Sequence, residues 1–147
     1  MKALYILLLS TVLLACNKKQ TVSPGHSVHM WAEGSEEEIP VEYIDAVWDY
    51  KTGALHIYAE GINHELLKLH LSNMCYTGTF TNIGMDNVYY ADDIEFYSAA
   101  LQTGSISIDA VTQQYASGSM KATLLNGNGR TDSKTVSCRF VIYSTEE

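Results

Sequence analysis

Beyond residue 28 the chain is organised by strict alternation of apolar and polar positions. Leu55, Ile57 and Ala59 alternate with His56, Tyr58 and Glu60, and Leu67, Leu69 and Leu71 alternate with Leu66, Lys68 and His70. A period of two is the signature of a half-buried strand, because successive side chains leave a strand on opposite faces. Gly61-Ile62-Asn63-His64-Glu65 lies between the two runs as a short loop. An antiparallel hairpin with partners summing to 126 sets Ile57 against Leu69 and Ala59 against Leu67 on the buried face. His56 then opposes His70, and Tyr58 opposes Lys68, on the other.

The C-terminal half follows the same rule. Ile106 and Ile108 alternate with Ser105, Ser107 and Asp109. Ala116, Gly118, Met120, Ala122 and Leu124 alternate with Ser117, Ser119, Lys121 and Thr123. After Asn126-Gly127-Asn128-Gly129, a turn sequence, Val136, Cys138, Phe140 and Ile142 share one face of a last strand. Pairing at a sum of 260 would oppose Met120 to Phe140, Ala122 to Cys138 and Leu124 to Val136, with Cys138 pointing inward. Further strands are expected near 41–49, 87–92 and 94–100. No sustained 3.6-residue repeat follows the first fifteen residues. About eight short strands predict an all-β fold, an antiparallel β-sandwich or a small, partly closed barrel.

The first residues obey a different pattern. Lys2 precedes an apolar run from Ala3 to Leu14, too short for the roughly 20-residue helix that spans a bilayer and suited to a secretory leader. The run ends Leu13-Leu14-Ala15-Cys16. This resembles the bacterial lipobox, which implies cleavage after residue 15 and acylation of Cys16. Residues 16–27 then read as the lipidated cysteine and a flexible tether, polar and containing Pro24-Gly25, and residues 28–147 as a single all-β domain. Removing Lys2 from the nine basic residues leaves eight against 17 acidic ones, a net charge of −9. That balance argues against nucleic acid. Export also places Cys75 and Cys138 in an oxidising compartment, where they form a candidate disulfide, with two buried thiols as the alternative.

Leu67-Lys68-Leu69-His70-Leu71, Gly78-Thr79-Phe80, Tyr89-Tyr90, Gly104-Ser105-Ile106-Ser107-Ile108-Asp109, Ser117-Gly118-Ser119-Met120-Lys121-Ala122 and Val136-Ser137-Cys138-Arg139-Phe140 together resemble the small, uncharacterised β-rich lipoproteins of Bacteroidota type. The similarity covers roughly residues 28–143. It implies an all-β fold and an envelope address, and no known activity. Met120 and Ala122 stand at positions that are aromatic in that pattern, and Cys138 where glycine is usual. Lys18-Lys19 replaces the acidic run that follows the lipidated cysteine in surface-exported relatives, so the resemblance favours the periplasmic face of the outer membrane.

Candidate chemistry is sparse. His56 and His70, with His64 in the loop, could approach a zinc ion, but zinc takes three or four protein ligands. The reading adopted is of exposed strand histidines, with no metal and no cofactor. His26 and His29 fall at the tether. Acidic residues gather at Glu33, Glu36, Glu37, Glu38, Glu42, Asp45 and Asp49, and again at Asp86, Asp92, Asp93 and Glu95. Neither group has the spacing of a calcium loop. There is no G-x-S-x-G elbow and no phosphate-binding glycine loop. Ten tyrosines and two tryptophans offer contact area at low entropic cost; Trp31, Tyr43, Trp48, Tyr50, Tyr58, Tyr89, Tyr90 and Tyr97 are the candidates. The expectation is a non-catalytic, membrane-anchored binding module with a protein partner. The alternatives are a lipocalin-like carrier of a small apolar ligand and a periplasmic glycan-active enzyme.

Overall fold

A sheet with one apolar face must cover that face; where no helix packs on it, it does so against a second sheet or by curling onto itself. The computed structural model describes residues 25–35, 37–84, 86–93, 95–128 and 131–144, with the backbone alone for 99–103. The leader at 1–15, Cys16 and most of the tether lie outside the described residues. Among the described residues nine strands form one antiparallel sheet: β1 (Ser27–Ala32), β2 (Val41–Asp49), β3 (Ala54–Gly61), β4 (Leu66–Leu71), β5 (Gly78–Phe80), β6 (Val88–Ala91), β7 (Phe96–Val111), β8 (Tyr115–Asn126) and β9 (Ser133–Tyr143). The order is β1-β9-β8-β7-β6-β4-β3-β2, with β5 branching off to pair with β7. The eight strands on the path make a nearly closed barrel.

Alternation is kept almost throughout. Leu55, Ile57, Ala59, Leu67, Leu69, Ile106, Ile108, Met120, Ala122, Leu124, Val136, Cys138, Phe140 and Ile142 all point inward and are at most 2% exposed. Trp48, Tyr90 and Met30 fill the same interior. Each large apolar side chain so buried contributes about 1.5–3 kcal/mol. The β3–β4 hairpin adopts the expected register, with His56 opposite His70 and Ile57 opposite Leu69.

Three expectations need correction. First, β8 and β9 pair two residues away from the expected register: Gly118 opposes Phe140, Met120 opposes Cys138 and Ala122 opposes Val136. The observed register seats the Phe140 ring beside the residue that has no side chain: a Cβ on Gly118 would lie 3.0 Å from Phe140 Cζ, and nearer still to the Ser107 carbonyl oxygen on β7. A slip of two preserves the faces, so Cys138 still points inward. Second, the strands expected at 94–100 and around 106–108 are one strand, β7, with its register to β8 shifted between Ala99 and Gly104. Third, His26 and Ser27, read as tether, belong to the barrel.

The barrel closes at a seam between β1, β9 and β2. Ile39 N–H donates to the Met30 carbonyl at 2.8 Å, and Trp48 forms a parallel bridge with Ser144. The Trp48 indole N–H crosses to the Thr112 carbonyl, 2.8 Å away. His26 is 9% exposed, and its Nδ1 accepts the Tyr143 backbone N–H at 3.1 Å. Its Nε2 is buried without a hydrogen bond. Burial pulls the His26 pKa below 6.5; the neighbouring Ala46 carbonyl and Asp45 carboxylate oppose this only in part.

Two outcomes follow from the packing and the seam. Gly118→Ala should destabilise the protein by about 1–3 kcal/mol through overpacking against the Ser107 carbonyl and the Phe140 ring, read as a lowered urea midpoint; an unchanged midpoint would show that β7 and β9 do not close tightly on this position. The unfolded chain binds a proton at His26 more readily than the folded one. Stability is therefore full above the unfolded value of about 6.5 and declines as pH falls from there toward the lowered folded value. His26→Gln should flatten the drop in urea midpoint between pH 7.5 and pH 5. An equally steep drop in the variant would assign the effect to other groups, His56 among them.

Candidate functional site

Alternation sends half of every strand's side chains outward, and on β2, β3, β4 and β6 these are not merely solvating. Tyr43 meets Tyr58 edge-on, with ring centroids 6.0 Å apart. The Lys68 ammonium lies over Tyr58 at 5.7 Å and over Tyr89 at 5.4 Å from the ring centroids, within cation–π range. Tyr89 stacks on Phe96, 6.3 Å between centroids at 15°. The result is a ribbon of aromatic rings and one cation crossing five strands. Its middle is fixed by the ladders, since Tyr58 opposes Lys68 and Lys68 opposes Tyr89.

Beside the ribbon, His56 and His70 place their rings 4.1 Å apart at 79°. Burial and the neighbouring His70 both lower the His56 pKa. Burial, followed by Glu60 and Tyr43, raises that of Tyr58. These groups border a shallow groove of about 340 Å³, which Asp45, Val47, Asp86 and Asn87 also line. Asn87 holds the groove's rim to β4: its Nδ2 donates to the His70 carbonyl at 3.0 Å, and its Oδ1 accepts the Gly84 N–H at 2.8 Å.

The remaining expected residues fall elsewhere. His64 is exposed, 3.9 Å from Glu60, in a left-handed backbone conformation with φ 65°. His29 bonds to Glu38 at 2.6 Å. Trp48, Tyr90 and Tyr97 are interior, and Tyr50 packs at the edge of Trp48. Several acidic residues serve turns and strand ends. Asp49 accepts from Lys51, Thr52 N–H and the Thr52 hydroxyl, which hold its carboxyl below the usual range. Glu33 accepts the Thr135 N–H. Asp92 pairs with Lys134, whose ammonium also lies over Tyr90 and Tyr97. Glu36 lies outside the described residues.

Cys75 and Cys138 are both free thiols, which corrects the candidate disulfide. Cys138 lies inside, opposite Met30 and Met120. Cys75 is exposed beyond β4 and approaches the β2–β3 turn at Gly53. Burial pushes the Cys138 thiol up to about 12.

A second outer concavity, of about 390 Å³, is lined by Trp31, Ser105, Ser107, Ser119, Lys121, Ser137 and Arg139. Sequence reasoning did not group these residues, because their adjacency depends on the β1–β9 pairing between the two ends of the chain. No protein-family model, curated protein or solved structure matches the chain.

The thiol assignment has a direct check. With Cys16 replaced by Ser, a thiol reagent should label one cysteine in the native protein, Cys75, and both only after unfolding. Loss of both labels without reductant, with a mass showing a Cys75–Cys138 link, would restore the disulfide.

Proposed function

We propose that this protein is an envelope lipoprotein, cleaved after residue 15 and acylated at Cys16, whose barrel is a non-catalytic module that binds a protein partner. In this reading the anchor holds it at the periplasmic face of the outer membrane, and the Tyr43–Tyr58–Lys68–Tyr89–Phe96 ribbon is the contact surface. The observation that carries the reading is the ribbon itself. Its aromatic rings lie on the outer face and lend nothing to the core, while Trp48, Tyr90 and Phe140 already fill the interior. Tyrosine brings large, stiff contact area with a polar tip, the composition typical of energetically dominant interface residues. The filled interior favours this over a carrier, which needs a hollow barrel. Ala15-Cys16 at the end of the apolar run supports the anchor.

Cross-linking in living cells, followed by capture of the lipidated protein, tests the surface. Truncating an aromatic anchor costs about 2 kcal/mol or more, so Tyr58→Ala with Tyr89→Ala should cut partner recovery by roughly an order of magnitude while the barrel stays folded at the assay temperature. Full recovery with that double variant, or loss instead on replacing Arg139 and Trp31, would move the surface to the opposite face. Cys16→Ser should abolish labelling by palmitate and release the protein from membranes; a variant that stays membrane-bound would refute the anchor.

A further inference from the structure

Of the five histidines, three are committed to other contacts: His26 in the seam, His29 to Glu38 and His64 beside Glu60. His56 and His70 differ. They face each other across β3 and β4, both rings are exposed, and among the described residues neither ring is hydrogen-bonded to a protein group. Their common environment is the groove that Asp45 and Asp86 also line.

We propose that His56 and His70 form a two-imidazole chelate for a divalent late-transition-metal ion, with its remaining coordination positions open to water or to a ligand from outside the chain. Neutral imidazole is the preferred ligand of Cu²⁺, Ni²⁺ and Zn²⁺ and a poor one for Mg²⁺ or Ca²⁺. With metal–nitrogen bonds of about 2.0–2.1 Å, two cis imidazoles place their ring centroids roughly 4.5–5.2 Å apart. The rings here, at 4.1 Å, need part by only about 1 Å or less. Both side chains stand on paired strands, so little backbone freedom is lost on binding.

Two facts bound the strength of the site. Among the described residues no cluster of three or more His, Cys, Asp or Glu could hold a metal, so the ion is held by two protein ligands. Lys68, beside His70 on the same face, opposes a cation. Its ammonium, however, is directed over Tyr58 and Tyr89, and the Asp45 and Asp86 carboxylates act in the opposite sense. A site of this kind is weak alone and tightens when a third ligand arrives, which suits a module whose surface is to be covered.

The test is calorimetric titration of the full-length, detergent-solubilised protein with Cu²⁺, Ni²⁺ and Zn²⁺, and with Mg²⁺ as contrast. Cys75 is replaced by Ser throughout to remove the competing thiol. One ion should bind per chain, in the order expected for nitrogen ligands, copper tightest. His56→Gln and His70→Gln should each weaken binding at least as much as loss of an outer-shell group does, about 10–100-fold. His64→Gln should leave it unchanged, and the copper spectrum should show two coordinated nitrogens in the parent and one in each variant. Binding that survives the His56→Gln, His70→Gln pair, or no binding by the parent chain, overturns the proposal. Neither result touches the partner-binding reading, which is tested without added metal.

Discussion

The constraint on which everything else depends is that one apolar face must find cover without a second layer. With no helix and no second sheet among the described residues, the inward side chains of β1 to β9 can escape water only by meeting one another across a curled sheet. That forces the interior to be filled by matched large and small residues: the Phe140 ring takes the space Gly118 leaves free, Met120 meets Cys138, and Trp48 reaches across to Thr112. It also sorts the remaining side chains: those that alternation turns outward make an aromatic ribbon on one flank and a serine-rich face with two cations on the other.

Legibility in the sequence tracked the distance over which each feature is decided. The β3–β4 hairpin was readable in full, register included, because a short loop and two clean alternating runs put Leu55, Ile57, Leu67, Leu69 and Leu71 on one face. Hence the His56–His70 juxtaposition could be derived from residue numbers alone. The β8–β9 pairing was readable only as to face. Its connecting segment is longer, alternation is indifferent to a slip of two, and the observed register seats a ring beside a glycine, which has no pattern of its own.

Less still was readable where non-neighbouring strands meet. Lys68 joins Tyr58 to Tyr89 only because β4 pairs with β6 while β5 leaves the path to join β7. No local run announces that choice. The unity of β7 was hidden for a related reason: Ala99 to Thr103 breaks the alternation where the strand changes register. His26 reads as tether because Pro24-Gly25 reads as linker, whereas its burial depends on Tyr143 at the end of β9 and Ala46 within β2. The disulfide failed on the same ground, since two cysteines 63 positions apart (from 75 to 138) carry no information about which side of a wall each occupies.

The seam has a consequence for how copies of the chain relate to one another. Along most of the barrel adjacent strands are joined by continuous ladders, but β1 and β2 meet through the Met30–Ile39 bridge, with Trp48 and His26 reinforcing the join. A strand held this way can leave its own barrel and dock into a neighbour's at little net loss, because every contact it gives up is offered again by the identical molecule. The same residues that finish one barrel could therefore lace two together, at a protein concentration set by how readily the seam opens.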